Sequence, residues 1–349
     1  MRRVPIRLKL AAALSVPLLA LTVVTVLEVL KSADEVDEIR DQSDLAEAAI
    51  GPSGLIASLQ NERTWPGIDL VGFGGQVTVP VEGYEQTRAE TDRALDEFRE
   101  RVTSKGDAIA AAYEPALAGL VELEQLRADI DANVAAVNPR TLDNNGDFSQ
   151  QVFERYTTLI EPFFDATTRI ALAIDDPELR QGTEMADAST RQIEVLSLLA
   201  SKVIRDATTT EGGVDTPQEI AGISMLHTSF VRNAAAMQAG TGPYAQIAAD
   251  SFPVTLTDDI NEQVDNAIAT GTVDITVMLA ALDVPKDQSY AAYQEAVAAE
   301  IVDRGGVLND AAQARQRWFA ALGLLVVGAA LLLTWWVSRS ITKPLRSLT

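Results

Sequence analysis

Two long apolar runs near the ends of the chain constrain its fold more than any other feature. The first, Leu10 to Leu27, has 18 residues without a charge, and the second, Trp318 to Val337, has 20 and carries tryptophans at both ends. A helix needs roughly 17 to 25 apolar residues to cross ~30 Å of hydrocarbon, and tryptophan is enriched at membrane surfaces. The sequence therefore predicts two transmembrane helices, at residues 10–27 and 318–337.

A cleaved signal peptide is the alternative for the first run. The run is longer than the usual signal-peptide core of about 7 to 15 residues, and no clean A-x-A cleavage site follows it. We therefore expect the first run to remain as a membrane helix.

Acidic and basic residues are distributed unevenly on the two sides of these runs. The ends carry seven basic residues and no acid, whereas residues 28–317 hold all 50 acids and the other 21 basic residues, a formal charge of −29. Lys and Arg beside a membrane span stay on the cytoplasmic side. The sequence predicts a cytoplasmic N-terminus (1–9), an extracytoplasmic domain (28–317) and a cytoplasmic C-terminal segment (338–349).

Composition excludes several functions. The formal net charge is −22, with no Cys and one His. Nucleic-acid binding needs clustered Lys and Arg, so this acidic chain is not expected to bind nucleic acid. Without cysteines or a histidine cluster, we expect no disulfide, no metal site and no cofactor. No catalytic residue pair stands out either, so we expect no catalytic site within these residues.

Between the two spans, apolar residues recur every three or four positions, which predicts helices throughout. Tyr84, Thr91, Leu95, Phe98 and Val102 form one such stripe. Thr216, Pro217 and Glu219 predict a capped helix start. Gln76–Val81 could form a short β segment. The other predicted helices are 108–135, 148–174, 179–207, 216–239, 256–282 and 288–317, with breaks at Pro-, Gly- and Asn-rich segments that include residues 240–246.

The segment after the second span, Ser338 to Thr349, resembles the opening of a HAMP linker. Ser340, Ile341, Lys343, Pro344 and Leu345 match its short SITKPL-type motif. HAMP linkers follow the last membrane helix of many sensor kinases and chemoreceptors. The resemblance implies that Pro344 and Leu345 begin a signal-relay helix and that the protein is a parallel homodimer.

A second motif lies at Ser58 to Thr64 (SLQNERT). It resembles the L-Q-x-E-R signature of the nitrate- and nitrite-sensing (NIT) domain, matched by Leu59, Gln60, Glu62 and Arg63. Gln60 and Arg63 are three residues apart and share a helix face, where an amide and a guanidinium suit a flat oxyanion. If the chain lay outside this family, Glu62 and Arg63 would be ordinary surface charges.

The NIT resemblance implies an all-α outer domain of two stacked four-helix-type bundles between two transmembrane helices. It also implies nitrate or nitrite as ligand, bound by a first and a second arginine. The second arginine is expected near Ala200, which is apolar, so Arg191 and Arg205 on either side are the candidates. The charge of −29 favours a cationic or neutral ligand or a protein partner instead.

Two functional hypotheses follow from these features. The first is the signal-input module of a membrane sensor in a two-component system, truncated from a longer sensor histidine kinase at the start of its HAMP linker. The second is a membrane-anchored extracellular structural or binding protein without signalling output. The linker motif favours the first hypothesis.

Overall fold

The computed structural model of the chain describes residues 6–69, 81–136, 145–209, 216–271, 274 and 288–345. Every element within these ranges is an α-helix, so the prediction of an all-α fold is confirmed. In chain order the helices are α1 (Ile6–Ile50), α2 (Ser53–Asp69), α3 (Val81–Ser104), α4 (Asp107–Gly119), α5 (Val121–Ala136), α6 (Asn145–Leu172), α7 (Pro177–Thr209), α8 (Pro217–Gln238), α9 (Pro243–Ser251), α10 (Val254–Thr270) and α11 (Gln288–Leu345).

The chain divides into two units. Unit one combines Met1–Asp41 with Arg304–Thr349, and unit two is Gln42–Asp303. In unit two, a first set of helices packs around α6, which contacts α2, α4 and α5, while α3 contacts α2 and α4. In the second set, α8 contacts α7, α9 and α10. Because α7 also contacts α2 and α6, it joins the two sets.

Aromatic side chains hold the first set together. The Phe98 ring lies edge-on to Tyr113 and Phe163, with ring centroids 5.0 Å and 5.8 Å apart. The Tyr113 hydroxyl donates a hydrogen bond to the Ala48 carbonyl of α1 at 2.9 Å. Buried aromatic pairs contribute both apolar area and a geometric preference. These contacts anchor the end of α1 in unit two. The predicted stripe on α3 is confirmed, since Tyr84, Thr91, Leu95, Phe98 and Val102 are all buried.

The start of α11 is anchored in the second set. Tyr293 is fully buried and its hydroxyl donates to the Met237 carbonyl at the end of α8, at 2.7 Å. Val297 and Ile301, one and two turns further along α11, are buried as well. Unit two therefore holds the last turns of α1 and the first turns of α11.

Helix boundaries differ from the sequence prediction in three places. The predicted helix 108–135 is two helices, α4 and α5, which meet at the buried residue Leu120 just after Gly119. Residues 240–246 were predicted as a break, but α9 begins there at Pro243, a residue suited to the first helical position. Helix α10 ends at Thr270 because Gly271 adopts the left-handed conformation that closes helices. Most of the predicted β segment, residues 76–80, lies outside the described residues.

Unit one exposes large apolar side chains along both of its helices. Within the described part of the chain, one helix segment is long and apolar enough to cross a membrane, Ser289–Leu333 in α11. The side chains of residues 10–19, more than half of the first predicted span, lie outside the description. Arg315, which precedes the second span, forms an ion pair with Glu35. The exposed large apolar residues are Leu21, Val23, Val24, Val26, Leu27 and Leu30 on α1, and Val307, Trp318, Leu322, Leu324, Leu325, Val327, Leu331, Leu332, Leu333, Trp335 and Trp336 on α11.

The capped start of α8 provides a test of local stability. The Thr216 hydroxyl accepts from the Glu219 backbone N–H at 3.2 Å, and the Glu219 carboxylate accepts from the Thr216 N–H at 3.0 Å. We expect Thr216→Ala to lower the free energy of unfolding by about 1 kcal/mol, because it removes this cap. Chemical denaturation of the full chain in detergent measures the change. Thr228→Ala, on the exposed middle of the same helix, is the matched control and should not lower the free energy of unfolding, since alanine favours helix interiors.

Candidate functional site

The L-Q-x-E-R motif lies on α2, with its polar side chains completely buried. Gln60, Glu62 and Arg63 each have 0% exposure, and Leu59 belongs to the core. Helix α2 contacts α3, α6 and α7, and only its other face, with Ser58, Asn61 and Thr64, remains partly exposed. The interpretation of Glu62 and Arg63 as ordinary surface charges is therefore wrong. Buried charges require partners, since an unpaired ion in a protein interior is costly.

Arg63 finds its partner on α7. Its Nη1 and Nη2 donate to the two carboxylate oxygens of Glu194 at 2.7 Å and 2.9 Å. Nη1 also donates to the Thr157 hydroxyl of α6 at 2.9 Å, and Nη2 to the Ser197 hydroxyl at 3.1 Å. The Gln60 amide nitrogen donates to Glu194 as well, at 2.8 Å. This Arg63–Glu194 cluster connects α2, α6 and α7 at one point.

The geometry of the cluster is that of an arginine holding a planar anion. Two parallel N–H···O bonds join the guanidinium to the carboxylate, and the amide of Gln60 adds a third donor. The guanidinium carbon lies 4.2 Å from the centre of the Phe153 ring, which covers one of its faces. The Glu194 carboxylate thus takes the position in which a flat oxyanion would contact Gln60 and Arg63.

Glu62 does not take part in this cluster but pairs with Arg127 of α5. The Nε and Nη2 of Arg127 donate to the two carboxylate oxygens at 2.7 Å and 2.8 Å, and the Tyr156 hydroxyl donates to the same carboxylate at 2.8 Å. Nη1 of Arg127 donates to Asp92 of α3 at 2.8 Å. Two adjacent residues of α2 therefore hold this helix to its neighbours: Glu62 contacts α5 and α6, and Arg63 contacts α6 and α7.

Ionisation states follow from these contacts. Burial alone lowers the pKa of Arg127, but its hydrogen bonds to Glu62 and Asp92 outweigh burial, so the pKa is raised overall. Burial, reinforced by the negative charge of Glu62, raises the pKa of Tyr156 well above its ordinary value. At neutral pH, Arg127 is charged and Tyr156 is a neutral hydrogen-bond donor.

Of the predicted ligand residues, the structure brings Gln60 and Arg63 together on one carboxylate. Arg191 lies elsewhere: it donates to Asp187 on its own helix and to the Phe164 carbonyl and the Thr168 hydroxyl of α6. It shares none of these partners with Arg63. Ala200, at the position expected for the second arginine, is fully buried. The side chains of Arg205, Pro344 and Leu345 lie outside the described residues.

The sequence analysis missed Glu194, the central residue of the cluster. Glu194 is an acid in an otherwise apolar and serine-rich stretch of α7, one turn before Ser197. An isolated acid on the buried face of a helix implies a buried cation elsewhere. That signal was available, but the identity of the cation was not, because Arg63 lies 131 residues earlier. No group of three or more His, Asp or Glu side chains able to hold a metal occurs among the described residues.

These features define an all-helical sensor-type domain, in which the buried Arg63–Glu194 pair joins the two sets of helices and the Glu62–Arg127 pair lies within the first set. The family model for nitrate and nitrite sensing (NIT) matches residues 54–325, and the chain belongs to this family. The fold is similar to the solved structure of the NasR transcription antiterminator, with a TM-score of 0.62 and 14% identity over 90% of this chain and 85% of that one. No match was found among the curated proteins.

The Arg63–Glu194 pair predicts that a small anion in solution can partly restore the stability lost when Glu194 is removed. We expect Glu194→Ala to lower the free energy of unfolding by about 3–5 kcal/mol, because Arg63 then stays buried without its counter-ion. Millimolar acetate or nitrate should restore part of this loss by occupying the vacated position. Thermal unfolding of the full chain in detergent, with and without each anion, measures the effect.

Two variants control this rescue. Glu184→Ala removes the same charge from an exposed position of α7 and should neither destabilise the protein nor respond to acetate. The double variant Arg63→Met/Glu194→Ala should lose the rescue, since no guanidinium remains. The wild type, Glu194→Ala, Glu184→Ala and the double variant are compared. An equal response of all four proteins to acetate would contradict the assignment of Arg63 as the group that binds the anion.

Proposed function

We propose that the chain is the signal-input module of a two-pass membrane sensor, with both termini cytoplasmic and unit two outside the membrane. The exposed apolar side chains of unit one support this proposal most strongly. Leu331, Leu332 and Leu333 are each more than half exposed, although a soluble protein rarely exposes such a continuous apolar surface. Lipid would cover these side chains, and the tryptophans at both ends of the second run suit the membrane surfaces.

The family supports nitrate or nitrite as the ligand of the sensor. In this chain, however, a nitrate ion that used Arg63 would first have to displace Glu194. Displacement would exchange two charged hydrogen bonds for two similar ones and would leave the carboxylate without its arginine. Arg63 and Glu194 therefore serve as a joint between α2 and α7, and the ligand has to act on this joint rather than find Arg63 free.

Helices α1 and α11 provide the path for the signal. Each runs without interruption from unit two into unit one, α1 over Ile6–Ile50 and α11 over Gln288–Leu345. Packed helices can shift by 1–2 Å as rigid bodies, so a change in unit two would move both helices along or about their axes. Helix α11 ends at Leu345 within the HAMP-like motif, whose residues Pro344 and Leu345 would receive this displacement. A parallel homodimer and a histidine kinase output are part of the same proposal.

Membrane topology is the first test. We expect a phosphatase reporter, active only outside the membrane, to be inactive after Thr349 and active when inserted at Gly271 in unit two. The basic residues at both ends and the acidic unit two produce this pattern under the positive-inside rule. Activity of the C-terminal fusion would contradict a cytoplasmic C-terminus.

Ligand binding is the second test. We expect millimolar nitrate or nitrite to raise the melting temperature of the full chain in detergent, whereas chloride at equal ionic strength should not. Stabilisation reaches about 2.7 kcal/mol at a ligand concentration 100 times the dissociation constant. The absence of any nitrate-specific stabilisation would reject nitrate and nitrite as ligands.

A distance measurement separates a sensor from an anchored binding protein. The chain has no native cysteine, so spin labels attached to cysteines at Val26 and Trp318, both exposed, report only on α1 and α11. A sensor should show a nitrate-dependent change in the distance distribution between these labels. Nitrate binding with an unchanged distribution would favour the binding protein without signalling output.

A further inference from the structure

One face of α7 is a continuous seam of buried residues. They follow one another at alternating intervals of four and three positions and are at most 2% exposed: Met185, Ser189, Gln192, Leu196, Leu199 and Val203. This spacing is the heptad pattern of helices that pack lengthwise against each other. Helix α8, which contacts α7, carries the fully buried Ile223, Phe230 and Met237 at seven-residue intervals. The α7 seam is apolar except at Ser189 and Gln192, which we call the polar layer.

The side chains of the polar layer have no hydrogen-bond partner among the described residues. Ser189 and Gln192 are both 0% exposed, and neither the Ser189 hydroxyl nor the oxygen and nitrogen of the Gln192 amide is bonded. Thr183 and Thr190 of the same helix, in contrast, each donate to the carbonyl four residues earlier. A buried polar group without a partner costs free energy and calls for an explanation. The polar layer is therefore a weak point in an otherwise apolar seam.

The opposite face of α7 is held by charged hydrogen bonds. Glu194 lies two residues beyond Gln192, which is about 200° further around the helix. It accepts two hydrogen bonds from Arg63 of α2. Arg191 donates to the Phe164 carbonyl of α6. Helix α7 is thus fixed to the first helix set on one side, while its other side carries the polar layer.

We propose that the polar layer is a conformational switch, which gives α7 a second position in which water reaches Gln192 and Ser189. Opening an apolar seam exposes apolar surface to water and gains nothing in return. Opening the polar layer also provides hydrogen bonds to groups that have none in the closed position. This gain lowers the free energy of the second position, so the layer opens more readily than the rest of the seam. Packed helices commonly shift by 1–2 Å between such positions.

Movement at the polar layer reaches α11 directly. Thr190, next to Ser189, accepts a hydrogen bond from the Gln294 amide of α11 at 3.4 Å. One heptad before Ser189, Gly182 lies so close to α11 that a Cβ added there would come within 2.6 Å of the Ile301 side chain. A shift of α7 would therefore act on α11, which continues into unit one. The switch goes beyond the proposed function, because it names the moving layer without assuming any ligand.

The test measures how often the polar layer opens in the full chain in detergent. The chain has no native cysteine, so a thiol introduced by Ser189→Cys reacts with a maleimide only when the layer opens to solvent. We expect the additional substitution Gln192→Met, which removes the amide but keeps a long flexible side chain, to slow this reaction about tenfold. Gln192→Met alone should raise the melting temperature by about 2–4 °C, since an unbonded buried group is removed.

Two controls accompany these variants. Gln150→Met makes the same substitution at an exposed position of α6 and should change neither the reaction rate nor the melting temperature. Thr91→Cys places a thiol at a fully buried position of α3, in the first helix set. Urea below the unfolding transition should accelerate the reaction of this thiol, which needs unfolding, but hardly that of the Ser189→Cys thiol, because local opening exposes little surface.

Three results would overturn the switch. The first is an equal acceleration of both thiols by urea, which would mean that the layer opens only when the protein unfolds. The second is an unchanged reaction of the Ser189→Cys thiol after Gln192→Met. The third is a lower melting temperature of Gln192→Met, because the amide would then be bonded in the closed position. No measurement uses nitrate or a membrane, so these failures are distinct from a failure of the proposed function.

Discussion

Two opposite charges at adjacent positions of one buried helix determine how unit two is put together. Glu62 and Arg63 point to different sides of α2, and neither has contact with solvent. Each must meet a counter-ion, because a buried ion without one destabilises a protein by several kcal/mol. Arg127 on α5 and Glu194 on α7 supply these counter-ions. The position of α2 between its neighbours is therefore specified by ion pairs as well as by apolar packing.

The same pairs shape how an anion can be sensed. A carboxylate inside the protein already pairs with both terminal nitrogens of the arginine that the family motif would offer to nitrate, so this chain carries its own anion at that point. A sensed anion then has two routes, displacement of Glu194 or binding on its other side. In either case the anion would act through Glu194, which joins α7 to α2 through Arg63.

Helix periodicity and the apolar runs allowed most of the fold to be predicted. The stripe on α3 and the cap of α8 were predicted from spacing alone, since both depend on residues within a few positions of one another. The break at Leu120 and the helix that begins at Pro243 were not. Both lie where local preferences are weak, next to Gly119 and Gly242, and packing decides such cases. Within the candidate site, Gln60 and Arg63 were predicted together, but Glu194 was missed.

By itself, the sequence determined the helical class, the acidic segment between two apolar runs and the motif on α2, because each depends on local composition or on a repeat of three to four residues. The tertiary structure decided that Glu62 and Arg63 are buried, that Arg63 is held by a residue 131 positions away, and that Arg191 points to other partners. Contacts between distant segments depend on which helix faces meet. A single sequence shows which face of a helix is apolar, but not which other helix will cover it.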